Sequence, residues 1–417
     1  MKYGLIGEKL SHSFSAPIHN RLFDYEYELK ELARDELGTF LTNRDFCAIN
    51  VTIPYKEAVI PYLDVVNDNA LRIGAVNTVV NRDGKLYGYN TDYMGLKALI
   101  ERSEIVVSDK KVLVLGSGGT SKTAVAVAQD LGCREVYRVS RAQRDDCVTY
   151  EQALEIHQDA QIIINTTPCG MYPNAGTSAV NVCDFPCLEG AVDVVYNPLR
   201  TKLVCDALAK GIPAVGGLYM LVAQAAFAAE QFVDTSVSQE RIEEIYRELL
   251  CNKENIVLVG MPASGKSTVG KQLAEQLGRV VIDTDEEIVR QSGASISEIF
   301  RNEGETAFRD MESDVIRQIS AIQGAIIATG GGAVLRPENV GALKGNGRLY
   351  FLDRSLDLLV TTSDRPLSSN RLDLEKRYRE RHPVYTAVCD VHVDGNGAVK
   401  EVANVIREDF IYEGTGD

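Results

Sequence analysis

Val112-Leu113-Val114-Leu115-Gly116-Ser117-Gly118-Gly119 and Ile256-Val257-Leu258-Val259-Gly260-Met261-Pro262-Ala263-Ser264-Gly265-Lys266-Ser267 are built alike: four apolar residues, then a glycine-rich turn. A short unbroken apolar run suits a strand buried on both faces. After the first turn comes Thr123-Ala124-Val125-Ala126-Val127-Ala128, a helix-forming run. Strand, glycine turn and helix together present backbone amides to a phosphate. Two such arrangements in one chain imply two nucleotide sites and two catalytic units. Apolar runs alternate with helical patterns almost throughout, which predicts α/β domains with parallel sheets.

The chain has 417 residues, 45% hydrophobic and 25% charged, enough for two or three domains with full cores. A net charge of -15 argues against nucleic-acid and anionic-membrane partners, which bind through basic patches. No run approaches the roughly 18–20 apolar residues of a membrane span. Met1 to Glu8 lacks the apolar stretch of a signal peptide and reads as a first strand. Nine cysteines form no CxxC pair, which suits a reducing compartment and a cytoplasmic location. A boundary is expected near Cys251 to Asn255, between the helical stretch Gln239 to Leu250 and the second glycine-turn strand. Residues before about Leu99 form one expected α/β unit, the dinucleotide loop begins another, and 254–417 forms the last.

In the first half, Gly116-Ser117-Gly118-Gly119-Thr120-Ser121 departs from GxGxxG because Ser121 replaces the third glycine. The turn amides would still hold a pyrophosphate. About 20 residues on, an NAD site usually carries an acid. Here the strand Val136 to Val139 ends in Ser140-Arg141, and a guanidinium there pairs with a 2′-phosphate, favouring NADP. Asp145 and Asp146 weaken that preference. Upstream lie Ser11 to Pro17, Asn50 to Lys56, Gly74 to Thr78 and Gly88 to Asp92. Each alone is more often a turn or cap than a site. Together they supply hydroxyls, amides, one cation and one carboxylate, which suits a small polyhydroxylated acid.

In the second half, Gly260-x-x-x-x-Gly265-Lys266-Ser267 is a complete P-loop. Lys266 would reach the β/γ phosphates and Ser267 would ligate Mg²⁺. Asp283 and Asp285 follow an apolar run and can point different ways, one to metal and one to the acceptor. Thr329-Gly330-Gly331-Gly332-Ala333 offers bare backbone for close approach of a substrate.

On these motifs the first half resembles shikimate dehydrogenase from Tyr3 to about Leu250. The matching stretches are His12 to Pro17, Asn50 to Lys56, Gly74 to Thr78, Asn90 to Asp92 and the loop at Gly116. Further matches are Asn165 to Met171, Asp193 to Pro198 and Gly217 to Gln224. The resemblance implies an α/β substrate domain at 1–98, with closing helices at about 217–250, and a Rossmann-like NADP domain at 99–216. It implies reversible reduction of 3-dehydroshikimate to shikimate by NADPH. By motif position Ser13, Ser15, Thr52, Asn77, Asp92, Tyr196 and Gln224 contact substrate, and Lys56 and Asp92 form the catalytic pair. Gly116, Gly118, Gly119, Thr120, Ser140, Arg141, Thr166, Gly217 and Met220 would hold the cofactor. Two departures, Ser140-Arg141-Ala142 for the usual Asn-Arg-Thr and Lys122 for an arginine, predict a weaker NADP preference.

The second half resembles shikimate kinase from about Asn255 onward. The motifs are the P-loop, Asp283-Thr284-Asp285, Glu305 to Arg309, Gly330 to Gly332, Asp364 to Leu367 and Arg381 to Tyr385. The resemblance implies a P-loop kinase domain, α/β/α with a central parallel sheet, that phosphorylates shikimate with ATP. Gly260, Ser264, Gly265, Lys266, Ser267 and Thr268 would cradle ATP, with Ser267 and Asp283 on Mg²⁺. Asp285 would take the shikimate hydroxyls, Arg309 and Arg381 its carboxylate, and Gly331 would line it. Lys266, Asp285 and the lid residue Arg365 would act on the transferring phosphoryl group. Leu356 to Ser363 lacks the basic residues usual beside the adenine. The joint expectation is conversion of 3-dehydroshikimate to shikimate 3-phosphate, with only small-molecule partners. Alternatives are a quinate/shikimate dehydrogenase with relaxed cofactor use and an impaired kinase half, or a non-catalytic sensor of such acids.

Overall fold

The apolar runs before the two glycine turns become inner strands of parallel sheets. The computed structural model describes residues 1–10, 14–144, 146–359 and 371–413. The chain divides into two units. One comprises Met1–Met171, Thr177–Tyr196 and Asp206–Glu248; the other comprises Tyr172–Gly176, Asn197–Cys205 and Leu249–Asp417. Ser13, Asp145 and Arg365, singled out above, lie outside the described residues.

The first unit contains two six-stranded sheets. One is built from β1 (Tyr3–Gly7), β2 (Tyr27–Glu31), β3 (Ala48–Val51), β4 (Val65–Val66), β5 (Thr78–Arg82) and β6 (Lys85–Tyr89), in the order β2-β1-β3-β5-β6-β4. This sheet is mixed rather than all parallel. Asp83 and Gly84, at φ 53° and 81°, form a two-residue turn with both residues left-handed, and that geometry folds β5 back on β6. The other sheet holds β7 (Lys111–Leu115), β8 (Glu135–Ser140), β9 (Val148–Thr149), β10 (Ile162–Asn165), β11 (Gly190–Asp193) and β12 (Ala214–Val215). Its order is β12-β11-β10-β7-β8-β9, with every pairing parallel. Helix Leu218–Val233 is buried along most of its length and lies against helix Thr91–Arg102. Gly95 permits this: a Cβ there would stand 2.8 Å from the Met220 carbonyl oxygen and from Gln224 Cβ.

The second unit is built on one five-stranded parallel sheet: β13 (Asn255–Val259), β14 (Val281–Asp283), β15 (Ile326–Ala328), β16 (Gly347–Asp353) and β17 (Val391–Asp394). The order is β14-β15-β13-β16-β17. Val257, Val259, Ile327 and Phe351 enter one core, and Ile256, Leu258, Ile326 and Tyr350 the other. That alternation puts helices on both faces and makes three layers. Within this unit Arg200 Nη2 pairs with the buried Glu254 Oε1 at 2.6 Å, anchoring the segment Asn197–Cys205. No helix among the described residues is long and apolar enough to cross a membrane.

One buried group ties the first unit to pH. His19, on helix Ser15–Leu22, is 1% exposed, stacks on Tyr27 at 4.1 Å, and lies 2.6 Å from the Tyr25 hydroxyl. Burial pushes its pKa down to about 3. The unfolded chain takes up this proton near pH 6.5, while the folded chain resists until about 3. Its unfavourable contribution is therefore absent above pH 6.5 and grows as pH falls toward 3. Resistance of the first unit to denaturant should fall between pH 7 and 5, and His19→Gln should flatten that slope. Equal slopes in the two proteins would remove His19 from the account.

Candidate active sites

The first unit has a cleft of about 690 Å³ at the strand ends of its two sheets. Lys56 Nζ and Asp92 Oδ2 meet there at 2.5 Å, with 23% and 15% of their side chains exposed. Two asparagines explain why this pair forms. Asn90 caps helix Thr91–Arg102 by accepting from the Tyr93 amide at 3.0 Å, and donates to the Ala75 carbonyl at 2.9 Å. Asn77 Oδ1 accepts from the Thr91 amide at 2.7 Å. The loops carrying the two motifs are thereby locked together, and Asp92 is presented on the first helical turn. Thr52, just beyond the end of β3, Ser15, Asn77, Tyr196 and Gln224 line the same cleft. Phe14 meets the Tyr196 ring edge-on at 5.8 Å, and burial pushes the Tyr196 hydroxyl up from its ordinary range. Asn50 and Lys9 also line the cleft. Asn50 was readable only as a motif flank, because its bonds to Tyr27 and Thr78 cross strands distant in sequence.

The dinucleotide loop follows β7. Gly116 has φ +124°, and a Cβ there would strike Thr166 Oγ1 at 2.5 Å, so this turn needs glycine. Thr166 Oγ1 itself donates to the Leu115 carbonyl at 2.6 Å. Around Gly118 and Gly119 a Cβ would meet nothing within 4 Å, which leaves open space above the first turn of helix Gly119–Asp130. Ser121 is fully buried and donates to the Gly118 carbonyl at 2.6 Å, pinning the turn where a third glycine would stand. Thr120, Gly217 and Met220 line the cleft. Gly217 is obligatory, since a Cβ would lie 2.1 Å from the Val194 carbonyl oxygen. Ser140 ends β8 and Arg141 beyond it is exposed. Asp146 is engaged by Arg138, and Lys122 by Glu57 at 2.9 Å.

The second unit has a cleft of about 670 Å³. Gly260 and Gly265, at φ +144° and +95°, shape the P-loop, and Ser264 is buried within it. Lys266 Nζ donates to the Gly260 and Met261 carbonyls at 2.9 and 2.8 Å. Ser267 Oγ donates to Asp283 Oδ2 at 2.5 Å, and Asp283 Oδ1 caps helix Thr284–Ser292 through the Asp285 amide at 2.9 Å. Thr268 and Asp285 line the cleft. A Cβ on Gly330 would fall 2.6 Å from Asp285 Oδ1. The Gly331 carbonyl accepts from Arg381 Nη1 at 3.0 Å and from the Tyr385 hydroxyl.

Arg309 donates to Glu312 Oε2 at 2.7 Å and Glu305 Oε1 at 3.3 Å. Burial draws its guanidinium down, and the two carboxylates more than restore it. Burial pushes the Glu312 carboxyl up against the pull of Arg309. Glu312 and Arg377 line the cleft without having been singled out in the sequence. Their signal was helical spacing, Arg309 to Glu312 and Arg377 to Arg381. Leu356 to Leu359 carries no base, but Arg354 Nη1 lies 3.7 Å from where a Cβ on Gly265 would stand.

Fold and geometry define a two-centre α/β enzyme, a dinucleotide-dependent oxidoreductase unit joined to a P-loop phosphotransferase. The family model for shikimate kinase matches residues 262–410, and that for the shikimate dehydrogenase substrate binding domain matches residues 5–79. A Clostridium beijerinckii shikimate dehydrogenase (NADP(+)) is 40% identical over 261 residues, covering 58% of this chain and 96% of the relative. The crystal structure of shikimate dehydrogenase 1 from Peptoclostridium difficile is 36% identical with a TM-score of 0.55, covering 60% of this chain and 98% of that one. Shikimate 5-dehydrogenase from Thermus thermophilus, in complex with NADP(H) and shikimate, is 29% identical with a TM-score of 0.54, covering 60% and 99%.

The chain belongs to the shikimate dehydrogenase family, and its C-terminal part is a shikimate kinase domain. It is a bifunctional shikimate-pathway enzyme: it reduces 3-dehydroshikimate with NADPH and phosphorylates shikimate with ATP.

Gly332 offers a test of the kinase cleft. A Cβ there would lie 2.1 Å from Arg309 Nη1, so Gly332→Ala must displace the guanidinium. On the expectation that Arg309 holds the shikimate carboxylate, the kinase KM for shikimate should rise roughly tenfold or more, the loss of a charged hydrogen bond. Hydride transfer, assayed separately, should be unchanged.

Proposed function

We propose that Lys56 is the proton donor of the reductase and that Asp92 orients it. The observation carrying this reading is the 2.5 Å Lys56–Asp92 pair inside a cleft otherwise lined by hydroxyls and amides. NADPH, when bound, supplies the hydride. The ketone oxygen that receives the electron pair needs a proton at the same moment, and a half-buried ammonium at hydrogen-bond range provides one. Asp92 fixes the ammonium's direction through the 2.5 Å contact. Thr52, Asn77, Tyr196 and Gln224, with Ser13 and Ser15, would hold the ring hydroxyls and carboxylate. Gly116, Gly118, Gly119 and Thr120 would carry the pyrophosphate, and the open space over Gly118 and Gly119 fits it. Ser140 and Arg141 would take the 2′-phosphate, with Thr166, Gly217 and Met220 around the remainder. In this reading 1–98 with 217–250 binds the acid and 99–216 the dinucleotide.

In the kinase centre, Gly260 to Thr268 would cradle ATP, with Lys266 neutralising the β and γ phosphates. Ser267 and Asp283 would hold Mg²⁺, which supplies charge neutralisation between those phosphates. The donor set fits: one hydroxyl and one carboxylate at 2.5 Å suit an ion that completes its shell with phosphate and water. Asp285 would orient the attacking shikimate hydroxyl, Arg309 and Arg381 would hold the carboxylate against the Gly331 backbone, and Arg365 would meet the transferring charge. Positioning of this kind is most of what phosphoryl transfer asks of a protein.

Orthogonal substitutions test the assignment. Lys56→Ala should abolish NADPH-dependent reduction and leave phosphorylation of supplied shikimate intact, with Lys266→Ala doing the reverse. Loss of both activities from either change would sink the assignment. For the 2′-phosphate, Arg141→Ala should raise the KM for NADPH about tenfold and leave that for NADH unchanged. Equal shifts would mean that Arg141 does not reach it.

A further inference from the structure

The kinase cleft carries one guanidinium more than the acceptor reading uses. Arg377 lines it, one helical turn before Arg381 on helix Arg371–Val388, so the two side chains leave the same face. Arg309 donates to two carboxylates and Arg381 to the Gly331 carbonyl. Arg377 Nη1, by contrast, is buried with no hydrogen-bond partner among the described residues. A guanidinium cannot shed its charge, so an orphaned buried N–H on it is costly. Burial, then the charge of Arg381, pull Arg377 down from its ordinary range despite Asp373, Glu305 and Glu380 nearby. Glu305 is itself engaged by Arg309 at 3.3 Å. Among the described residues no carboxylate of the cleft reaches Arg377 Nη1.

The phosphates of ATP already have Lys266 and the P-loop amides. The anion that remains is the one on the acceptor. We infer that Arg377 is a third arm on the shikimate carboxylate, offering Nη1 beside Arg309 and Arg381. This rests on the reading that those two arginines hold that carboxylate. Arg377 is then a specificity residue: it favours an acid over a neutral analogue of the same shape, because the neutral acceptor leaves the buried N–H unpaired.

The test uses the full chain in the kinase direction without dinucleotide, with shikimate and its methyl ester as acceptors. Arg377→Leu should raise the KM for shikimate about 10- to 100-fold, the range for a hydrogen bond to a charged group. The ester's kcat/KM should be unchanged. Arg377→Lys should recover part of the loss, since an ammonium keeps charge but not the planar fork. An unchanged shikimate KM overturns the inference, and so do equal losses on acid and ester, which would make Arg377 scaffolding. A raised inhibition constant for shikimate 3-phosphate with an unchanged KM overturns it too, moving the contact to phosphate. Arg381→Leu separates the two levels. If it leaves the acid-to-ester ratio untouched, the acceptor reading itself falls; if it lowers the ratio and Arg377→Leu does not, only the third arm falls.

Discussion

Parallel strands all finish on one edge of their sheet, where backbone amides run out of ladder partners, and both catalytic centres are built on that edge. In the second unit Asp283 of β14 pairs with Ala328 of β15, which pairs with Leu258 of β13, while Val259 pairs with Phe351 of β16. That register delivers the P-loop, Asp283 and the triple-glycine turn to one place. The first unit repeats the logic, with Gly116 after β7 and Ser140 ending β8. Ligands of open α/β sheets gather at such edges for this reason.

What surrounds each reactive group is mostly scaffolding made of the same polar residue types. Asn77, Thr78, Asn90 and Thr91 bond to one another and to backbone, Thr78 also accepts from Asn50, and the result is an Asp92 that faces Lys56. Arg309 is held the same way by Glu312. A buried ion pair of this kind costs desolvation and returns orientation. It fixes one guanidinium in a cleft where three arginines would otherwise repel.

The fusion joins two reactions that share an intermediate: reduction leaves a hydroxyl where a ketone stood, and phosphorylation acts on the acid so formed. One chain supplies both activities in equal number. The two clefts lie in separate units and share no lining residue among the described residues.

Local patterns carried much of this in the sequence alone. Four apolar residues before a glycine turn can only be satisfied inside a covered sheet, and glycine spacing makes a phosphate cradle wherever it occurs, so both inner strands and both nucleotide loops were legible. The places of Lys56, Asp92, Ser267, Asp283, Arg309 and Arg381 in the two clefts were legible too, because short motifs hold them in a local frame. The tertiary structure decided what depends on distant pairing. The β5–β6 hairpin that mixes the first sheet turns on two left-handed residues, Asp83 and Gly84. The roles of Asn50 and Glu312 depend on neighbours across strands or within a buried cleft. Nothing in the sequence singled out Arg377; only burial leaves its Nη1 without a partner among the described residues. Whether a polar group is solvated or stranded is set by every element packed around it, and no stretch of chain encodes that by itself.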